Sequence, residues 1–163
     1  MIEVKSSSVN RAEMDAAIGA AIMRWQDATQ SYDEAVGAKL GLGMAERLCL
    51  GLLQTGPQSA GAIAIATGLT PAAVTSLIDR LEARGMLTRT RSLEDRRKVV
   101  IEQTETTRKF ADRYYGPIAR EGQKLLAGFS DAELATVLRF VTAALALQNE
   151  QLARLKAEPE EAG

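Results

Sequence analysis

Apolar positions between Ser59 and Gln103 follow first a helical and then a strand-like pattern. The run from Ser59 reads as a short helix that ends at Gly68, a residue suited to the left-handed conformation after a helix C-terminus. Thr70-Pro71 then supplies an N-cap hydroxyl and a first helical residue with its φ already set. In the second helix Val74, Leu77, Ile78 and Leu81 fall at i, i+3, i+4 and i+7, one stripe that must pack on the first helix. The opposite face carries Ala72, Ser76, Asp79 and Ala83, with Thr75 and Arg80 on its shoulders. After Gly85, Met86 to Arg91 and Lys98 to Gln103 are β-branched runs around the turn-prone, charged segment Ser92 to Arg97, a hairpin with a basic tip.

Longer stripes run near both ends. Asn10-Arg11-Ala12-Glu13 opens a helix presenting Met14, Ile18, Ala21, Trp25, Ala28 and Tyr32. Ser130-Asp131-Ala132-Glu133 opens another presenting Leu134, Leu138, Val141, Leu145, Gln148, Leu152 and Leu155, at alternating spacings of four and three. One small domain cannot cover a helix of that length, so the stripes pack either on each other within one chain or on a second copy, and the second copy is the reading adopted. From Glu105 to Ala127 a further helix is expected, kinked or interrupted at Gly116-Pro117. The fold class that results is mainly α: a winged helix-turn-helix with a two-stranded β wing, flanked by long N- and C-terminal dimerisation helices. Its expected domains are an N-terminal dimerisation helix over 1–40, the winged domain over 43–104, C-terminal dimerisation helices over 105–157, and a disordered tail over 158–163.

Charge narrows what the hairpin does. Residues 70–98 carry seven basic and four acidic side chains, while the segments on either side are net acidic and the whole chain has a net charge of −1. The protein is therefore not a general polyanion binder, and its one basic patch lies on the second helix and the wing. A solvated helical hairpin makes the same periodicity, and a charge run is often only a solvated loop. A helix with small and hydroxyl side chains on its open face, followed directly by an arginine-tipped ribbon, fits a helix entering the DNA major groove with the ribbon beside it. On this reading Thr70, Thr75 and the helix N-terminus hold phosphates, Ala72, Ser76 and Arg80 face base edges, and Arg96 and Arg97 take the backbone or minor groove.

The stretch LTPAAVTSLIDRLEARGMLTRTRSLEDRRKVVIEQTE resembles the winged helix-turn-helix signature of the MarR (multiple antibiotic resistance regulator) family, and the helices on either side extend the resemblance over nearly the whole chain. The resemblance implies a homodimeric transcription regulator, usually a repressor, often released from its operator by a small molecule. It also implies that Asp95 supports the wing by orienting Arg97 into the minor groove. The chain departs from the family pattern where the second wing strand meets the next helix: Gln103-Thr104 stands in place of a leucine-threonine pair, and Thr107 in place of a glycine.

The remaining features exclude more than they add. With no histidine and one cysteine, the chain has neither a Ser-His nor a zinc-histidine arrangement, and no disulfide framework. Gly41-Leu42-Gly43 lacks the third glycine and the preceding strand of a nucleotide loop, so it reads as a loop between helices. An enzyme is ranked last and no cofactor or metal is implied. Cys49 is expected to be a buried, inert thiol. Trp25 and Tyr32 are weak candidates for an effector pocket. No run approaches the ~20 apolar residues of a membrane span and no signal-peptide core opens the chain, so a cytoplasmic protein is expected. Its expected partners are double-stranded DNA carrying a palindromic operator, a second copy of itself and possible small-molecule effectors, with no membrane. The alternative is a winged-helix adaptor that binds a protein instead of DNA.

Overall fold

Asn10 turns its side chain onto the Ala12 N–H, and Glu13 returns to the Asn10 N–H, so a capping box opens α1, Arg11–Leu40. The computed structural model describes residues 10–92, 95 and 98–158. The chain divides into two compact units, one up to Phe110 and one from Ala111.

In the first unit α1 ends at Gly41, which adopts the left-handed conformation (φ 60°). Gly41-Leu42-Gly43 is a connection between helices, as its sequence indicates. Glu46 then caps α2, Met44–Leu52, by accepting from the Gly43 N–H at 2.9 Å. A 3₁₀ turn over Leu53–Thr55 leads to α3, Ala60–Thr67, whose C-cap is the left-handed Gly68. The next helix, α4, spans Pro71–Ala83, with the Thr70 hydroxyl accepting from the Ala73 N–H at 3.3 Å. All four stripe residues, Val74, Leu77, Ile78 and Leu81, are buried, joined by Leu53, Ile63, Leu87 and Ile101.

The wing is an antiparallel pair, β1 (Leu87–Arg91) and β2 (Val99–Gln103), in register from Leu87 opposite Gln103 to Arg91 opposite Val99. Each strand is one residue shorter than its sequence pattern, because Met86 and Lys98 turn their hydrogen bonds to the turns instead: Met86 N–H to Leu81 O, Lys98 N–H to Asp95 O. The free edge of β2 is also used. Gln58 exchanges both backbone bonds with Ile101 (2.9 and 2.8 Å), a third-strand bridge that a single residue after Pro57 gives no pattern to reveal.

The departures from the family pattern have a packing role. Gln103 is buried and donates from Nε2 to Leu53 O at 2.9 Å, tying the wing to the 3₁₀ turn. Thr107, on α5 (Glu105–Tyr114), is buried and donates to Met86 O at 2.5 Å. Thr104 donates to Gly85 O at 2.7 Å while its oxygen accepts the Thr107 N–H, so these polar residues staple α5 to the turn before β1.

Cys49 is fully buried in this core, and burial, with the nearby Glu46 charge, pushes its thiol up to about 11. Its folded value lies above the unfolded one, so its contribution to stability is complete below about pH 8.5 and is lost as pH rises through 11. We expect thiol-labelling reagents to leave the folded protein unmodified at pH 8. Urea midpoints should fall between pH 9 and 11 in the wild type and less so in Cys49→Ala. Rapid labelling at pH 8 would show an accessible thiolate instead.

In the second unit, α6 spans Gly116–Leu126, separated from α5 at Tyr115 just before Gly116-Pro117, so the expected interruption is present. A capping box of Ser130 and Glu133 opens α7, Asp131–Ala157, and the Ser130 hydroxyl and N–H hold the Glu133 carboxyl below its ordinary value. No residue of α6 or α7 is buried, and Leu138, Leu145 and Leu155 are more than half exposed. Among the described residues no single helix is long and apolar enough to cross a membrane. The tail expected to be disordered lies, beyond Glu158, outside the described residues.

Candidate nucleic-acid interface

Helix α4 stands on the core by its apolar stripe, so its other side is necessarily open. Pro71, Ala72, Thr75, Ser76, Asp79 and Arg80 are all exposed, and Thr70 with them at the helix N-terminus. Thr75 donates its hydroxyl proton to Pro71 O (3.1 Å) and Ser76 to Ala72 O (3.2 Å), each one turn back. What they turn outward is a methyl group and hydroxyl lone pairs. Thr70 spends its oxygen on the cap and keeps its proton for an outside acceptor. The exposed N-terminal end of α4 therefore offers small groups around the positive end of a helix dipole.

The cations behind this end are less free than the sequence suggests. Arg80 Nε lies 3.7 Å from Glu46 Oε1, which draws its guanidinium towards α2, although its side chain stays mostly exposed. Arg89 belongs by composition to the basic cluster on the wing, but in the structure it reaches back from β1 and forms ion pairs with both Asp79 (2.5 Å) and Glu82 of α4. The hydrogen bond to Asp79, with the Glu82 charge adding to it, raises the arginine's pKa above its ordinary value. Asp79, an acid on the open face of α4, is thus paired by a cation from the wing. The same contact fixes the ribbon against the helix. Asp79 and Glu82 lie three residues apart on one helical edge, close enough for a single guanidinium to reach both.

At the wing tip Ser92 N–H bonds to Lys98 O (2.9 Å), Lys98 N–H bonds to Asp95 O (2.9 Å), and the Asp95 carboxylate lies 3.9 Å from Lys98 Nζ. Arg96 and Arg97 lie outside the described residues. Trp25 and Tyr32 sit two turns apart on α1, the first 66 % and the second 37 % exposed. Two residues act here through contacts that the sequence did not foretell: Arg89, legible only as one charge of the basic cluster, and Glu46. Only Glu46 had a local signal, as the third helical residue after Gly43, where a carboxylate caps.

Residues 48–99 match the family model described as MarR family. The chain is 32 % identical over 129 residues to an uncharacterized HTH-type transcriptional regulator, YcgE, of Bacillus subtilis, covering 78 % of this chain and 84 % of that one. Among solved structures, a MarR family protein from Bacillus stearothermophilus superposes with a TM-score of 0.58 at 20 % identity, over 84 % of this chain and 97 % of that one. MepR of S. aureus shares the fold in two complexes. A variant bound to an oligodeoxyribonucleotide gives a TM-score of 0.51 at 20 % identity, over 81 % and 97 % of the two chains. The form bound to ethidium bromide gives 0.56 at 18 %, over 80 % and 95 %.

Proposed function

The chain belongs to the MarR family of winged helix-turn-helix transcription regulators, and from that premise we propose that it acts as a homodimeric repressor which grips a palindromic operator and is released by a small molecule. The observation that carries the reading is the open N-terminal half of α4, with Thr70, Ala72, Thr75 and Ser76 exposed beside a wing that Arg89 docks onto the same helix. In this arrangement Thr70, Thr75 and the α4 amides meet phosphates, while Ala72 and Ser76 pack at base edges in the major groove. Arg80 exchanges Glu46 for the duplex. Arg97, oriented by Asp95, and Arg96 hold the backbone or the minor groove.

The dimer rests on apolar surface. Met14, Ile18 and Trp25 of α1 and Leu138, Leu145, Leu152 and Leu155 of α7 are all more than two-fifths exposed in the single chain, a surface that monomers do not leave in water. A two-fold pair built on these helices puts two recognition helices on one side of the duplex, about one DNA turn apart. MepR, a fold relative, binds both an oligodeoxyribonucleotide and ethidium. By the same logic Trp25 and Tyr32 offer aromatic faces to a planar or apolar effector, whose binding and that of DNA must then weaken each other reciprocally.

The test is enrichment of bound duplexes from a random-sequence pool, followed by fluorescence anisotropy at several salt concentrations and light scattering for mass. We expect a palindromic motif, a dimer mass, and affinity that falls steeply with salt as counterions are released. Arg97→Ala should bind the enriched duplex about tenfold more weakly, as the loss of one such contact implies, with the melting temperature unchanged. A monomer that retains no duplex at low salt would defeat the proposal.

A further inference from the structure

The ends of three helices meet at one side chain. Arg84, just beyond the last turn of α4, donates to Leu40 O at 2.6 Å and to Gly41 O at 3.0 Å, the terminal carbonyls of α1, across more than forty residues of sequence. The same guanidinium lies 3.9 Å from Glu46, whose carboxylate caps α2 and also faces Arg80 one turn earlier on α4. A cation here satisfies carbonyls that no helical N–H reaches and sits at the negative end of the α1 dipole. The buried part of α1 lies in its last turns, where Leu40 also packs against the core. Val36 and Gly37 are its buried residues, and at Gly37 the fit is so close that a Cβ would stand 2.6 Å from the Arg47 guanidinium. Arg47 in turn donates to Leu42 O, so two arginines clasp the end of a thirty-residue helix.

We propose that Arg84, held by Glu46, is a positioning residue for DNA recognition: it sets the angle between α1 and the recognition helix α4, and so the spacing of the two recognition helices in the dimer, without touching DNA. The inference rests on the dimeric reading given above. A long helix held by its last turn is a lever, so a small change at the Arg84 joint becomes a large displacement at the far end of α1. Two binding modules gain from simultaneous engagement only when the span between them matches the span of the sites. A fixed joint therefore makes the protein exacting about half-site spacing. A loosened one makes it tolerant.

The experiment takes the duplex enriched by the wild-type protein, versions with one base pair inserted or deleted at its centre, and an isolated half-site. The wild type should lose about a hundredfold in affinity on either spacing change, the scale at stake when bivalent engagement is lost. Arg84→Ala should bind the optimal duplex about tenfold more weakly, because pre-organisation is lost, yet pay a spacing penalty of tenfold or less. Its affinity for the half-site should match the wild type. Arg84→Lys, which reaches one carbonyl but not two, should fall between. Glu46→Gln keeps the cap on α2 while removing the charge, and should loosen spacing in the same direction. An unchanged spacing penalty in both Arg84→Ala and Glu46→Gln would overturn the proposal, as would an equal loss on the isolated half-site, which would make Arg84 a DNA contact. A wild-type protein that enriches no duplex would instead bring down the functional reading on which the proposal stands.

Discussion

Replacing Leu77 with alanine is expected to remove about 2–5 kcal/mol of stability from the winged unit, the range for a buried leucine truncated in a core that relaxes only in part. Leu77 is fully buried, and it lies in the stripe by which α4 packs on the core with Ile63, Leu53 and Leu87. Its side chain thus helps hold the recognition helix, the 3₁₀ turn and the first wing strand together. A domain of this size has a total stability of about 5–15 kcal/mol, so the loss is a large fraction of what there is. Urea unfolding followed by circular dichroism measures it. Val99→Ala is the control: Val99 is apolar too, but half-exposed on the wing, and its truncation should stay within about 0.5 kcal/mol. Equal effects at the two positions would mean that the core is not where the burial places it.

The second large effect concerns function rather than stability. Arg89→Ala should lower affinity for the enriched duplex about a hundredfold, more than one lost phosphate contact, while changing the unfolding free energy by about 1 kcal/mol or less because the pairs are partly exposed. Two causes act in the same direction. Without Arg89 the wing is no longer tied to α4, so the ordering of the ribbon must be supplied on binding. Asp79 and Glu82 also become uncompensated negative charges within a Debye length of the phosphates. A double-mutant cycle separates the causes: Asp79→Asn with Glu82→Gln in the Arg89→Ala background should recover the repulsive part and leave the ordering part. If Arg89→Ala behaves like the removal of any exposed arginine, with a loss of a few-fold and no coupling to Asp79, then the clamp has no part in binding.

These two predictions draw on different levels of legibility. Leu77 could be chosen from spacing alone, because a helix repeats every 3.6 residues and an apolar stripe on it has one place to go. The Gly68 and Thr70-Pro71 boundaries, the two capping boxes, the interruption at Gly116 and the wing are legible for a similar reason: each is a local preference of two to five adjacent residues. The exposed groups of α4 follow from the same stripe, since fixing the buried side fixes the open one. Arg89 was legible only as a charge. Composition places it in a basic cluster, and nothing local says that it points back at Asp79 and Glu82 rather than outward.

The linear chain thus decided where helices begin and end, which side of each is apolar, and that one short region is basic, since those properties depend on neighbours within about one turn. The tertiary structure alone decided which cations are spent inside the molecule. Arg84 meets carbonyls forty-three and forty-four residues away, Glu46 holds two helices at once, Gln58 bridges Ile101, and Gln103 secures Leu53. A guanidinium or an amide has no periodicity to announce its partner. Its pairing is set by which backbone ends converge once the apolar stripes have packed.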